Sequence, residues 1–117
     1  SGFIITRKDF ETTITRAKGV VQKSVGKDRI SNIYDIDLIN KTTNDYDITL
    51  QLEGEKGEIQ LVKNHIELKE QSESRGKFVV IMKKSEINKG KNEIEISVYG
   101  NGELIETKKT IFMGPLL

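Results

Sequence analysis

From Thr13 to Phe112 the apolar residues recur mostly at every second position, the period of a pleated strand with one face buried and one in water. Helical spacing is scarce. The cleanest stretch interleaves Tyr46, Ile48, Leu50 and Leu52 with Asp47, Thr49, Gln51 and Glu53, so one extended segment sorts its side chains by polarity. Residues 32–40 do the same, with Tyr34, Ile36 and Leu38 on one side and Asp35 and Asp37 on the other beside Ile33 and Ile39. That segment ends in Asn-Lys-Thr-Thr-Asn-Asp, a run of turn formers.

Further strands are expected downstream. Ile59 with Leu61, and Ile66 with Leu68, mark two short edge strands around a break at Asn64 and His65. Lys77–Lys83 carries Phe78, Val79, Val80, Ile81 and Met82 without polar interruption, which predicts a central strand buried on both faces. Ile94, Ile96 and Val98 then alternate with Glu93, Glu95 and Ser97, and Gly100-Asn101-Gly102 leads into a last strand over 103–112. Asn-Gly between two such patterns signals a type I′ hairpin, because both central residues need positive φ. Glu53-Gly54-Glu55-Lys56-Gly57 is a looser hairpin signal, and Asn88-Lys89-Gly90-Lys91 reads as a loop.

With an N-terminal pattern over 13–22, the chain offers seven or eight strands separated by turn signals, the pattern of an all-β antiparallel sandwich. Phe10, Ile14 and Ala17 would also share a helical face, but Thr12, Thr13 and Thr15 crowd a helix turn, so a strand is expected there. The only proline, Pro115, follows the last strand and removes no ladder donor. At 117 residues the length suits one domain. Residues 1–10 are read as a linker or cloning remnant and residues 11–117 as the domain.

Composition removes several kinds of chemistry. There is no cysteine, so disulfide scaffolds, thiol nucleophiles and cysteine-ligated zinc or iron–sulfur centres are out of reach of these residues. Nineteen basic against eighteen acidic residues announce neither a nucleic-acid nor an anionic-membrane binder. The longest apolar run, Phe78–Met82, falls far short of the roughly 20 residues that cross a bilayer as a helix.

The remaining candidates are individually weak. His65 is the only histidine, and its neighbours suggest a turn residue rather than a general base. His65, Met82 and Met113 could supply copper ligands, yet their spacing forms no motif, and Met82 sits in the most apolar strand, where a thioether fills core space. Asp35 with Asp37, and Glu93 with Glu95, are expected on solvated strand faces, not in a desolvating cleft. Lys83, Lys84, Lys89, Lys91, Lys108 and Lys109 are explained by edge protection against aggregation, with an acidic partner surface as the alternative. Gly54, Gly57, Gly100 and Gly102 are turn glycines, and Asn40-Lys41-Thr42 is a formal glycosylation triplet of a kind common by chance. No catalytic, cofactor-binding or metal-ligating residue is assigned.

Taken as a set, "ETTITRAKGVVQ", "RISNIYDIDLINKT" and "YDITLQLEG" resemble the C-terminal domain of the FixG/CcoG family of cytochrome oxidase accessory proteins. The most specific part is Ser31-Asn32-Ile33-Tyr34 running into Ile39-Asn40-Lys41-Thr42, and "IFMGP" at Ile111–Pro115 is similar to the family's C-terminus. This resemblance implies an immunoglobulin-like β-sandwich on the end of a membrane protein with iron–sulfur motifs, associated with assembling cbb-type cytochrome c oxidase and handling its copper. It also implies a periplasmic location, with attachment to the inner membrane through an N-terminal part of the parent. Lacking cysteine, the chain cannot inherit the family's redox role.

The expected function is therefore a non-catalytic interaction domain. Its partners would be oxidase subunits, a copper carrier or the parent's membrane part, with no nucleic acid, no cofactor and no insertion of this domain into the membrane. A small copper-delivering domain is the alternative. A generic adhesion module ranks below both, because Tyr99 and Phe112 are the only late aromatics available for a sugar-binding face. Asn32, Tyr34 and Asn40 are read as sandwich corners rather than binding residues.

Overall fold

The computed structural model describes residues 9–17, 23–54, 57–62 and 66–115. Among these the elements are β1 (Phe10–Arg16), β2 (Lys23–Val25), β3 (Arg29–Asn40), β4 (Tyr46–Leu52), β5 (Gly57–Leu61), β6 (Ile66–Leu68), β7 (Glu73–Lys83), a 3₁₀ turn (Lys84–Glu86), β8 (Lys91–Gly100) and β9 (Glu103–Met113). All pairings are antiparallel. One sheet has the order β1-β3-β7-β5, with β2 also on β3; the other has the order β6-β4-β8-β9. Two antiparallel sheets stacked in this order form the immunoglobulin-like sandwich.

The alternation in the sequence decides which face meets the other sheet. Tyr34, Ile36, Leu38, Phe78 and Val80 from the first sheet and Ile48, Ile96, Val98 and Phe112 from the second are all within 1% of full burial. Tyr34 stacks on Phe78 with ring centroids 5.0 Å apart, and Phe10 meets Tyr46 edge-on at the same distance. Phe10, expected at the end of a linker, instead opens β1 and is buried in the core; residues 1–8 of that stretch lie outside the described residues.

Several expectations need correcting. Nine strands form among the described residues, not seven or eight, because the N-terminal pattern divides into β1 and the short β2, which turns into β3 at Gly26 with φ +68°. β7 begins at Glu73, four residues early, since Ser74, Arg75 and Gly76 pair in register with Leu38, Asp37 and Ile36. It is central but not buried on both faces. Phe78, Val80 and Met82 point into the core, whereas Val79 and Ile81 share the half-covered outer face with Ile33.

The 53–57 stretch is not a hairpin. β4 and β5 lie in different sheets, so this connection crosses the sandwich. β5 pairs with the C-terminal half of β7, and β6 then pairs with the N-terminal end of β4. The two short edge strands thus climb one side of the sandwich and change sheets midway. Gly57 allows the close approach, since a Cβ there would lie 2.7 Å from the Ile81 carbonyl oxygen.

The Asn101-Gly102 turn forms as expected, with φ of 51° and 82°. Gly100 pairs with Glu103, and Asn101 Oδ1 accepts a hydrogen bond from the Asp47 N–H, which ties the hairpin to β4. Gly102→Ala is expected to cost about 1–2 kcal/mol through the left-handed backbone. Urea unfolding should show a lower midpoint with an unchanged slope; an unchanged midpoint would contradict the turn assignment.

Candidate functional site

Asn32 and Tyr34 share the inward parity of Ile36 and Leu38, so β3 carries polar groups into an apolar layer. A buried amide or phenol needs a partner. Both find it on β9 of the opposite sheet. Asn32 Nδ2 donates to the Met113 carbonyl at 3.0 Å, and the Met113 N–H donates to Asn32 Oδ1 at 2.8 Å. The side-chain amide thus pairs with the backbone as a neighbouring strand would. Two residues along, the Tyr34 hydroxyl donates to the Ile111 carbonyl at 2.7 Å. Burial pushes the Tyr34 phenol well above its ordinary range, against a smaller opposing effect of Arg16.

Asn40, at the far end of β3, is 1% exposed. Its Nδ2 donates to the carbonyls of Asn44, Lys69 and Leu68, and its Oδ1 accepts from the Thr42 N–H and hydroxyl. One side chain therefore organises the turn into β4 and the exit from β6. Its amide is fully engaged in the fold, so the Asn40-Lys41-Thr42 triplet presents no free acceptor in the folded domain. Asn40 is the sandwich corner expected of it, but Asn32 and Tyr34 are not: both lie within β3, and their side chains reach across the core to the backbone of β9. The partner strand of Asn32 was not anticipated, although a buried Asn at core parity is the signal that one must exist.

The remaining candidates are spread through the fold. His65 lies outside the described residues. Met82 is 5% exposed and packs in the core, while Met113 sits half-buried at the end of β9, its backbone held by Asn32. Among the described residues no group of three or more His, Cys, Asp or Glu side chains could hold a metal ion. Phe112 is fully buried and cannot line a sugar-binding face.

The paired carboxylates stand on outer strand faces, as expected. Asp35 is paired with Lys77 at 2.5 Å, Asp37 with Arg75 at 3.6 Å and Glu93 with Lys109 at 4.0 Å. Glu73 shares Arg75 with Asp37; its hydrogen bond to Asp37 and the repulsion between the two carboxyls hold Glu73 above its usual range. The Asp35, Asp37 and Glu93 pairs are cross-strand ladders on partly exposed faces, although Asp37 Oδ1 is buried without a hydrogen-bond partner. A groove of about 450 Å³ opens where the chain changes sheets after β5, lined by Leu61, Val62, Ile66 and the Ser74–Lys77 stretch, with Val62 62% exposed at its rim.

The lysines fall into two groups. Lys108 and Lys109 lie on β9, an edge strand, and pair with Glu106 and Glu93, in keeping with edge protection. Edge protection does not account for Lys83, Lys84, Lys89 and Lys91. Lys83 closes β7, Lys84 and Lys89 lie in the connection that follows, and Lys91 opens β8, all at one end of two inner strands.

Tyr34→Phe is expected to cost about 1 kcal/mol at neutral pH by removing the bond to β9. The raised phenol also makes a pH signature. The unfolded tyrosine ionises near 10, so the native state binds more protons above that pH and stability falls as pH rises beyond it. Urea unfolding between pH 9 and 11.5 should show a shallower alkaline decline for Tyr34→Phe than for the parent; equal slopes would contradict a buried, bonded phenol.

Comparison with known proteins agrees with this architecture. Residues 2–115 match the family described as "IG-like fold at C-terminal of FixG, putative oxidoreductase". A solved structure, that of a FixG-related protein from Vibrio parahaemolyticus, is similar with a TM-score of 0.68 and 13% identity, covering 91% of this chain and 96% of the other. At that identity the likeness speaks for the fold. No curated protein matches the sequence.

Proposed function

The chain belongs to the FixG C-terminal family of immunoglobulin-like domains, and from that premise we propose that it is a non-catalytic docking domain of a FixG-like membrane protein. The observation that carries this reading is the family match over residues 2–115, on a domain whose buried Asn32, Tyr34 and Asn40 side chains serve its own backbone. A fold of this type does chemistry only through a site grafted onto it. In this reading the redox centres belong to the parent's membrane part, and the domain stands in the periplasm. There it holds oxidase subunits, a copper carrier or the parent itself in position while cbb-type cytochrome c oxidase is assembled.

Copper delivery by the domain itself is the competing reading. It would require Met82 to leave the core, where it packs at 5% exposure. Removing a buried methionine from its surroundings costs about 2–5 kcal/mol when measured by truncation to alanine. Titration of the isolated domain with cuprous ion under reducing conditions is expected to show no binding tighter than roughly micromolar. A nanomolar site would overturn the docking reading in favour of metal carriage.

Deleting the domain from the full-length parent tests docking directly. Iron–sulfur absorbance of the purified parent should be retained, while assembled oxidase activity in the membrane falls. Loss of the clusters, or unchanged oxidase activity, would contradict the proposal.

A further inference from the structure

Seven of the described lysines and arginines form ion pairs: Arg29, Lys41, Lys69, Arg75, Lys77, Lys108 and Lys109. The described lysines without one are Lys23, Lys27, Lys83, Lys84, Lys89 and Lys91. All six gather at the same end of the sandwich. Lys23 pairs in register with Ser31, Lys27 lies in the β2–β3 turn, Lys83 is opposite Arg29, and Lys91 is opposite Met113. Five are exposed and Lys84 is half-buried. Between them, on the same two connections, stand only two acids, Asp28 and Glu86.

The backbone beneath these lysines is fixed. The Lys84 N–H donates to the Asp28 carbonyl at 2.7 Å, joining the β2–β3 turn to the 3₁₀ turn. Asn92 shapes the next loop, accepting from the Asn88 N–H and donating to the Asn88 and Gly90 carbonyls. Gly114 N–H donates to the Gly90 carbonyl, and Gly90 N–H to the Pro115 carbonyl. A Cβ on Gly114 would overlap the Asn88 carbonyl oxygen, so the approach of chain end and loop requires glycine. Ordering these loops is thus a cost already met in the free domain.

Charge at the opposite end has the other sign. Asp45, Asp47, Glu70 and Glu103 cluster near the Asn40–Asp45 and Asn101 turns, where Lys41 and Lys69 are already paired. β3 alone runs from one end to the other, and its 12 residues span about 36 Å at roughly 3.3 Å each. The Debye length at physiological salt is about 8 Å, so the acidic end does not cancel the basic one. A net charge of +1 conceals this separation.

We propose that the Lys23/Lys27/Lys83/Lys84/Lys89/Lys91 end is a docking surface for an acidic protein partner. This rests on the reading of the domain as a docking module and names the chemistry its partner must have. Asp28 and Glu86 among the lysines favour a partner with discrete, interspersed charges over a uniformly anionic lipid surface. The described residues of this end carry no aromatic platform on which bases could stack.

The probe is an acidic peptide with interspersed charge, about three repeats of Glu-Glu-Glu-Lys, added to the isotopically labelled domain at about 50 mM salt, followed by amide chemical shifts. Shifts confined to residues 23–31, 83–91 and 113–115 are expected. K83E/K84E/K89E/K91E should weaken binding at least about tenfold, and the corresponding Lys→Gln set should weaken it less, whereas K108E/K109E should change it by less than about twofold. Shifts spread over all faces, no binding, or equal losses in the K108E/K109E control would overturn the proposal. So would tighter binding to phosphatidylcholine/phosphatidylglycerol vesicles or to oligo-dT at the same salt. If the peptide result fails while domain deletion still lowers oxidase activity, this surface is wrong and docking stands; if deletion has no effect, the docking reading itself falls.

Discussion

The bidentate pairing of the Asn32 amide with the Met113 peptide is the contact on which the rest of this sandwich depends. Apolar burial brings two sheets together but is non-directional, and it does not fix where an edge strand ends. Asn32 and Tyr34 supply direction. Their hydrogen bonds cross from β3 to the carbonyls and N–H of β9, so the last strand of one sheet is tied to an inner strand of the other. Each such bond contributes about 1 kcal/mol net, but an unpaired buried partner costs more, and that asymmetry makes the register hard to slip.

This tie has consequences beyond β9. Immediately after Met113 the chain returns hydrogen bonds to Gly90, and Asn92 holds the loop on the other side. The lysine-bearing end is therefore positioned by a chain of contacts that starts in the core. Asn40 does a similar service at the acidic end, where one amide serves three carbonyls.

Much of this architecture was legible in the alternation of side chains. β4 and the inner face of β3 follow the pattern residue by residue, and the Asn101-Gly102 turn has the backbone its two residues demand. What local pattern could not carry was pairing at a distance. The Glu53–Gly57 stretch has hairpin composition, yet it crosses between sheets, because a turn former permits a reversal without naming the strand that follows. Glu73–Gly76 lacks apolar residues and joins β7 only through its register with β3. Gly26-Lys27-Asp28 carried a usable turn signal that separates β2 from β3. Asn40 was recognisable as a corner residue, whereas Asn32 lies inside β3, and nothing local to it points to a residue 81 positions away. The basic end was divided in the same manner, since four of its lysines are neighbours in sequence and Lys23 and Lys27 join them only through the fold.

Amide hydrogen exchange at Met113 tests the account most directly. If Asn32 clasps β9, the Met113 N–H exchanges as slowly as the inner amides of β3 and β8, although it lies at the end of an edge strand. Exchange at the rate of an unstructured chain end would show that β9 is not joined to the opposite sheet, and the braced sandwich described above would be wrong.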